Sequence, residues 1–346
     1  MLTDDEPRIG ARPVERRSSS KTLLNIALAL MGAVLLLITV RQVGWAEVQR
    51  GLGNVGWWFL VVVALGGLRF ATRARAWRSS AEAMMTASRT PVPASLTPQL
   101  FGAMLAADAL GNLTPLGLLA SEPAKVLLVR HRVPTVAAIA SVAIENAFYI
   151  ASVVAMLAAG AVVFISLTNL PQGLRVGAQI VLASAFAAAV AGAIVARHKP
   201  AVLSRIAHLL SAITGRTLSV TGHLEEVEAR FYGVLTWPAF TFVRVLFWEA
   251  AFHVAAVAEV FLVLRLLPGG STVSLADAFV LETTGRLIAV VFKFVPYRLG
   301  VDEAGAAVVA RALAIDPTAG VTLALIRRLR ILCWNAVGLI ILARSR

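Results

Sequence analysis

The feature that most constrains this chain is a set of apolar runs about as long as a bilayer is thick. Residues 23–40, 57–71, 136–165, 178–196, 237–267 and roughly 319–343 are dominated by Ala, Val, Leu, Ile and Phe. Crossing the hydrocarbon core takes ~20 such residues in a helix. In lipid the backbone must satisfy its own polar groups, which leaves helices or closed barrels. Continuous rather than alternating apolar runs select helices. The run at 57–71 is short unless its flanks extend it. Of the 346 residues 58% are hydrophobic and 15% charged, whereas a soluble domain has about 45–50% and about 25%.

Two further apolar stretches are interrupted midway. Residues 100–134 break around 112–117, and residues 275–313 break around 296–300. Charge distribution orients the chain. With the first 22 residues, 73–95, 125–132, 197–235 and the C-terminus on one side, that side carries 19 Lys and Arg, against 3 in 41–56, 166–177, 268–274 and 312–320. The positive-inside rule then predicts both termini in the cytoplasm and a multi-pass protein of the inner membrane. Residues 1–22 lack the apolar core and cleavage site of a signal peptide and read as a disordered cytoplasmic tail. Residues 23–346 read as one integral membrane domain, with 197–235 a cytoplasmic interfacial segment. Within it, Val202, Leu203, Ile206, Leu209, Leu210 and Ile213 share one helical face.

For the loops to alternate, the broken stretches must enter and return on one side, from opposite faces of the membrane. The predicted fold is therefore an all-α polytopic membrane protein with about six full spans, two oppositely oriented re-entrant hairpins (about 97–131 and 275–313), and a candidate inverted repeat. The net charge of +13 is explained by these flanking charges, so no nucleic-acid partner is expected. The one cysteine, Cys333, excludes a disulfide framework and reads as a small packing residue.

Aligned at their prolines, the two breaks read PLGLLASEPAKVLLVR (115–130) and PYRLGVDEAGAAVVAR (296–311). Pro115 matches Pro296, Leu118 matches Leu299, Glu122 matches Glu303 and Arg130 matches Arg311. Ser121 and Asp302 correspond as candidate N-caps, and Gly300 as a breaker. A helix N-terminus in low dielectric presents unpaired N–H donors and a partial positive charge, which suits a phosphate or carboxylate. Simple end-capping accounts for the same residues.

Charges thicken around the second break. Glu282 and Arg286 are spaced to pair on one face, and Lys293 and Arg298 follow. Arg327, Arg328 and Arg330 interrupt the last run, where they are costly unless they face protein, water or an anion. A later helix start would leave them at the interface, but with too few apolar residues to cross. Lys125 and Glu145–Asn146 add polar positions near the first break. Glu249 and His253, four apart, form a candidate proton relay or a structural network. GLGNVG at 51–56 precedes a membrane helix rather than a βαβ unit and is no dinucleotide fingerprint. The five histidines lack metal spacing. No catalytic residue, metal or cofactor is expected.

In order and wording, SEPAKVLLVRHRVP after the first break and VPYRLGVDEAGA at the second resemble the lysylphosphatidylglycerol-synthase transmembrane, or flippase-like, family, over about residues 20–343. PYRLGVDEAG is most similar to its hopanoid-biosynthesis-associated branch. The resemblance implies lipid handling or movement, in some members beside a soluble aminoacyl-transferase domain. These residues contain no such domain, so aminoacylation is not expected of them. Two departures bear on head-group choice: Ala120–Ser121 stands where a Gly often precedes the acidic residue, and Asn146 stands where an Arg often follows the Glu.

The expected activity is that of a lipid transporter, not an enzyme. An anionic or polar head group would sit between the hairpin tips, its phosphate neutralised by Arg286, Lys293, Arg327 and Arg328. Glu122, Glu282 and Glu303 would pair with these cations in the empty site or take up a proton during transport. Pro115, Ser121, Lys125, Glu145, Pro296, Arg298, Gly300 and Asp302 complete the expected binding set. The expected partners are membrane lipids and, through them, lipid-synthesis enzymes. A membrane-embedded lipid transferase and a non-transporting scaffold are the alternatives.

Overall fold

The computed structural model describes residues 45–113, 117–167, 170–202, 204–205, 221–292, 298 and 300–344. The tail, the run at 23–40 and most of the interfacial helix at 199–215 lie outside them, as do Pro115, Lys293 and Pro296. Among the described residues the fold is all-helical. Its α-helices are α1 (Trp45–Val55), α2 (Phe59–Ala87), α3 (Leu96–Leu113), α4 (Gly117–Val129), α5 (Thr135–Leu167), α6 (Gln172–His198), α7 (Thr221–Tyr232), α8 (Ala239–Leu266), α9 (Leu275–Val291), α10 (Val301–Ala312) and α11 (Pro317–Arg344). Four helical segments are long and apolar enough to cross a membrane: Gly53–Ala87, Thr135–Ser166, Gln172–His198 and Ala239–Leu266. The chain is a multi-pass membrane protein.

One sequence expectation is corrected here. Arg73, Arg75 and Arg78 do not begin a loop; α2 runs on to Ala87. No Pro or Gly lies between Gly67 and Pro91, so nothing stops the helix. The last run is likewise one helix from Pro317, which leaves its arginines in mid-helix. Cys333 is exposed rather than packed.

The bundle has two apolar cores. The first gathers Trp77, Met84 and Met85 of α2, Leu96, Leu100 and Met104 of α3, and Ala137–Phe148 positions of α5. The second gathers Val62 of α2, Phe164 of α5, Val260–Leu264 positions of α8, Ala278 and Leu281 of α9, Val309 of α10, and Leu323 and Ile326 of α11. Of the long helices, α2, α5 and α8 each contribute one end to each core. Their middles are left for other side chains.

The broken segments attach to opposite cores. Leu96, at the start of α3, and Val129, at the end of α4, both lie in the first. Ala278 near the start of α9 and Val309 near the end of α10 both lie in the second. At ~1.5 Å per residue, the 13 residues of α4 and 12 of α10 fall short of a bilayer core.

Both segments lean on α11 through glycine. A Cβ on Gly338 would strike the Leu105 carbonyl of α3, and one on Gly320 would lie 2.5 Å from the Ala306 carbonyl oxygen of α10. Backbone cannot step aside as a side chain can. By contrast, α6 buries only Ala178 and Ala185, and among the described residues nothing lies within 4 Å of a Cβ on Gly192. Gly320→Val and Gly338→Val are each expected to cost about 1–3 kcal/mol of stability, read as a lowered unfolding midpoint in detergent. Gly192→Ala should leave that midpoint unchanged or raise it.

Candidate functional site

The middle of the bundle, between the two apolar cores, is a belt of buried charge. Its densest part is built on α9, whose start is fixed by a reciprocal cap: the Ser274 hydroxyl accepts from the Asp277 N–H, and the Asp277 carboxylate accepts from the Ser274 N–H. Two turns on, Glu282 is 0% exposed. One oxygen accepts from Arg286 Nη2 at 2.6 Å, and the other from Arg327 of α11. Glu259 of α8, also 0% exposed, accepts from Arg330 Nη1 at 2.6 Å and Arg69 Nη1 at 3.1 Å. The Nε of Arg327 lies 3.8 Å from its other oxygen. Arg327 therefore joins the two carboxylates, and four helices meet through them.

The rest of the belt lies toward α4. Arg73 donates to Glu145 Oε1 of α5 from Nε at 2.9 Å and Nη2 at 2.5 Å. Lys125 Nζ is 3.0 Å from Glu122 Oε1 and 3.9 Å from Glu145 Oε2, and Asn146 Nδ2 donates to Glu122 Oε2 at 2.6 Å. Asn112 donates to Asp108 and to Asn335 of α11, each at 3.0 Å. At the second break, Glu303 and Arg328 form a buried pair at 2.5 Å.

Aromatic rings link the two parts. The Arg73 guanidinium lies over the Tyr149 ring at 4.0 Å, and the Tyr149 hydroxyl accepts from Arg286 Nη1 at 3.2 Å. Such stacking desolvates a cation favourably without using its donors.

Of the residues singled out from sequence, the structure brings together Glu282, Arg286 and Arg327, then Glu122, Lys125 and Glu145, and separately Glu303 and Arg328. Other expectations are corrected. Ser121 is no N-cap: α4 begins at Gly117, which places Ser121 inside the helix, 3.4 Å from Glu122. Asp302 is no N-cap either, since Gly300 takes that place with φ 76°. Asp302 instead sits in the first turn, held by Arg298 at 3.1 Å. Glu249 and His253 do not pair. His253 Nε2 bonds Ser152 Oγ at 2.9 Å, and both Glu249 oxygens are buried without a hydrogen-bond partner among the described residues.

Sequence reasoning misses Arg69, which lies inside the apolar run at 57–71, and Arg73, which the charge count assigns to a cytoplasmic loop. The missed signal was the unbroken helical stretch up to Pro91, with the two arginines one turn apart on a shared face. Glu259, Arg330 and Tyr149 were also left out of the expected site.

Breaking a buried ion pair from one side strands a charge, at about 3–5 kcal/mol. Glu282→Gln, which leaves Arg286 and Arg327 without their carboxylate, should therefore lower the unfolding midpoint sharply. Glu226→Gln removes only the exposed partner of Arg230 and should stay within about 1 kcal/mol of the parent.

Compared with known proteins, residues 23–338 match the family model described as the lysylphosphatidylglycerol synthase TM region. No curated protein and no solved structure matches the chain.

Proposed function

Because the chain belongs to the lysylphosphatidylglycerol synthase TM region family, we propose that it binds a polar or anionic lipid head group in the mid-bundle belt and carries it across the inner membrane. The family ties the chain to lipid metabolism. The observation that carries the finer reading is the charge arrangement of the belt. Among the described residues, seven cations (Arg69, Arg73, Lys125, Arg286, Arg327, Arg328 and Arg330) divide five ion-paired carboxylates (Glu122, Glu145, Glu259, Glu282 and Glu303). Each guanidinium has five N–H donors, so shared carboxylates leave donors for an anion. Charge at this depth is costly, and within membranes it marks substrate pathways more often than it marks packing.

The two broken segments act as re-entrant hairpins from opposite sides. In support, both ends of α3–α4 join one apolar core and both ends of α9–α10 join the other. Each hairpin brings one carboxylate, Glu122 or Glu303, against a cation. Opposed hairpins give the belt access from either leaflet in turn. Both termini face the cytoplasm in this reading, and the PYRLGVDEAG phrase points to hopanoid or envelope lipid chemistry.

The test is translocation of fluorescent anionic and zwitterionic lipids in proteoliposomes, with and without a proton gradient. One lipid class should cross, and a folded Glu122→Gln/Glu303→Gln variant should lose at least about tenfold in rate, as for a charge-assisted contact removed at each hairpin. If no lipid moves under either condition, the transport reading fails. If Arg286→Met/Glu282→Leu, which replaces a buried pair by apolar volume, leaves translocation intact, those two charges are structural.

A further inference from the structure

The centre of the belt holds an arrangement that ion pairing alone does not explain. Phe252 is buried at the midpoint of α8, ~20 Å of helix from either end. Three guanidiniums surround its ring: Arg69 at 4.9 Å, Arg286 at 5.1 Å and Arg73 at 6.0 Å. Tyr149 stands edge-on to the same ring, with centroids 5.8 Å apart. Arg73 is the central residue of α2, and Tyr149 lies two residues from the centre of α5. Three long helices thus bring this cluster to one depth, halfway through the bundle.

Each of the three arginines sends a terminal nitrogen to a different carboxylate. Arg69 bonds Glu259, Arg73 bonds Glu145 and Arg286 bonds Glu282. Their positive charges nevertheless converge on a ring that offers only its π face. Donors are left over. The Nε–H groups of Arg69 and Arg286 are buried and, among the described residues, have no acceptor. Tyr149 accepts from Arg286, and among the described residues its own O–H proton has no acceptor. A buried donor left unmade costs about 1–3 kcal/mol. Two such donors and the half-buried Tyr149 hydroxyl, grouped around one ring beside three like charges, are the complement of an oxyanion with several oxygens.

We propose that Arg69, Arg73, Arg286 and the Tyr149 hydroxyl form the seat of a phosphate group, with Phe252 as its floor. This rests on the reading of a head-group carrier and moves the anion site from the hairpin tips to the α2–α5–α8–α9 junction. The ligand chemistry is a phosphate, either the phosphodiester of a lipid head group or free inorganic phosphate. Arg69 and Arg286 donate through Nε, and Tyr149 turns its O–H to a phosphate oxygen while still accepting from Arg286. Glu259, Glu145 and Glu282 remain behind the guanidiniums as positioning residues.

The experiment is equilibrium binding to the full chain in detergent, with dihexanoyl-phosphatidylglycerol as one probe and inorganic phosphate as the other. Arg73→Gln/Glu145→Gln, which removes a cation together with its carboxylate, should weaken lipid binding at least about tenfold. Tyr149→Phe keeps the ring under Arg73 and should weaken it several-fold. Arg230→Gln/Glu226→Gln, an exposed pair, should bind as the parent does.

If the parent binds the lipid and neither seat variant changes its affinity, the seat is refuted while the carrier reading stands. Loss confined to an Arg328→Gln/Glu303→Gln variant would return the anion to the hairpin and also refute the seat. Binding of inorganic phosphate but not the lipid, weakened by the same seat variants, would support the seat and overturn the head group as its source. If the parent binds neither probe, both the seat and the carrier reading fall. Should the double variant unfold, Tyr149→Phe alone decides between these outcomes.

Discussion

Arg327 holds the interior together. It donates to Glu282 of α9 and lies against Glu259 of α8, and Glu259 in turn takes Arg69 of α2 and Arg330 of α11. In a medium that solvates none of these groups, a carboxylate is tolerable only with its partners in place. The consequence is geometric: α2, α8, α9 and α11 must meet at one depth and in one rotational setting, because a helix turned by a single residue would point its charge elsewhere. Apolar contacts in lipid cannot impose this, since a leucine gains little by leaving hydrocarbon for a neighbouring leucine.

Layering follows from the same constraint. Charge occupies the middle of α2, α5 and α8, and the two apolar cores close it from both ends. Irregular backbone at membrane depth survives only against protein or a wet cavity. The polar cross-link from Asn112 to Asn335 beside the first break is one such accommodation.

Helix identity was legible from apolar run length, and so was pairing within a turn, as with Glu282 and Arg286. Run length failed where a helix stayed regular but changed from apolar to charged. At Arg73 the charge was read as a water boundary, yet it is matched by Glu145, 72 residues away in sequence. No local pattern announces such a partner. The caps failed for a related reason. Ser121 has the right chemistry for an N-cap, but α4 had already begun at Gly117. Aromatic residues near the belt were invisible as site components, because Phe252 and Tyr149 look like ordinary membrane-helix packing until their neighbours are known.

The glycine contacts of α11 carry a mechanical corollary. Gly320 near its start and Gly338 near its end each press bare backbone against a different broken segment. One helix is thus shared by both broken segments, at opposite ends. Gly320 and Gly338 are 18 residues apart, about five turns of helix, so both contacts lie on one face of α11 and its tilt sets the seating of both segments at once.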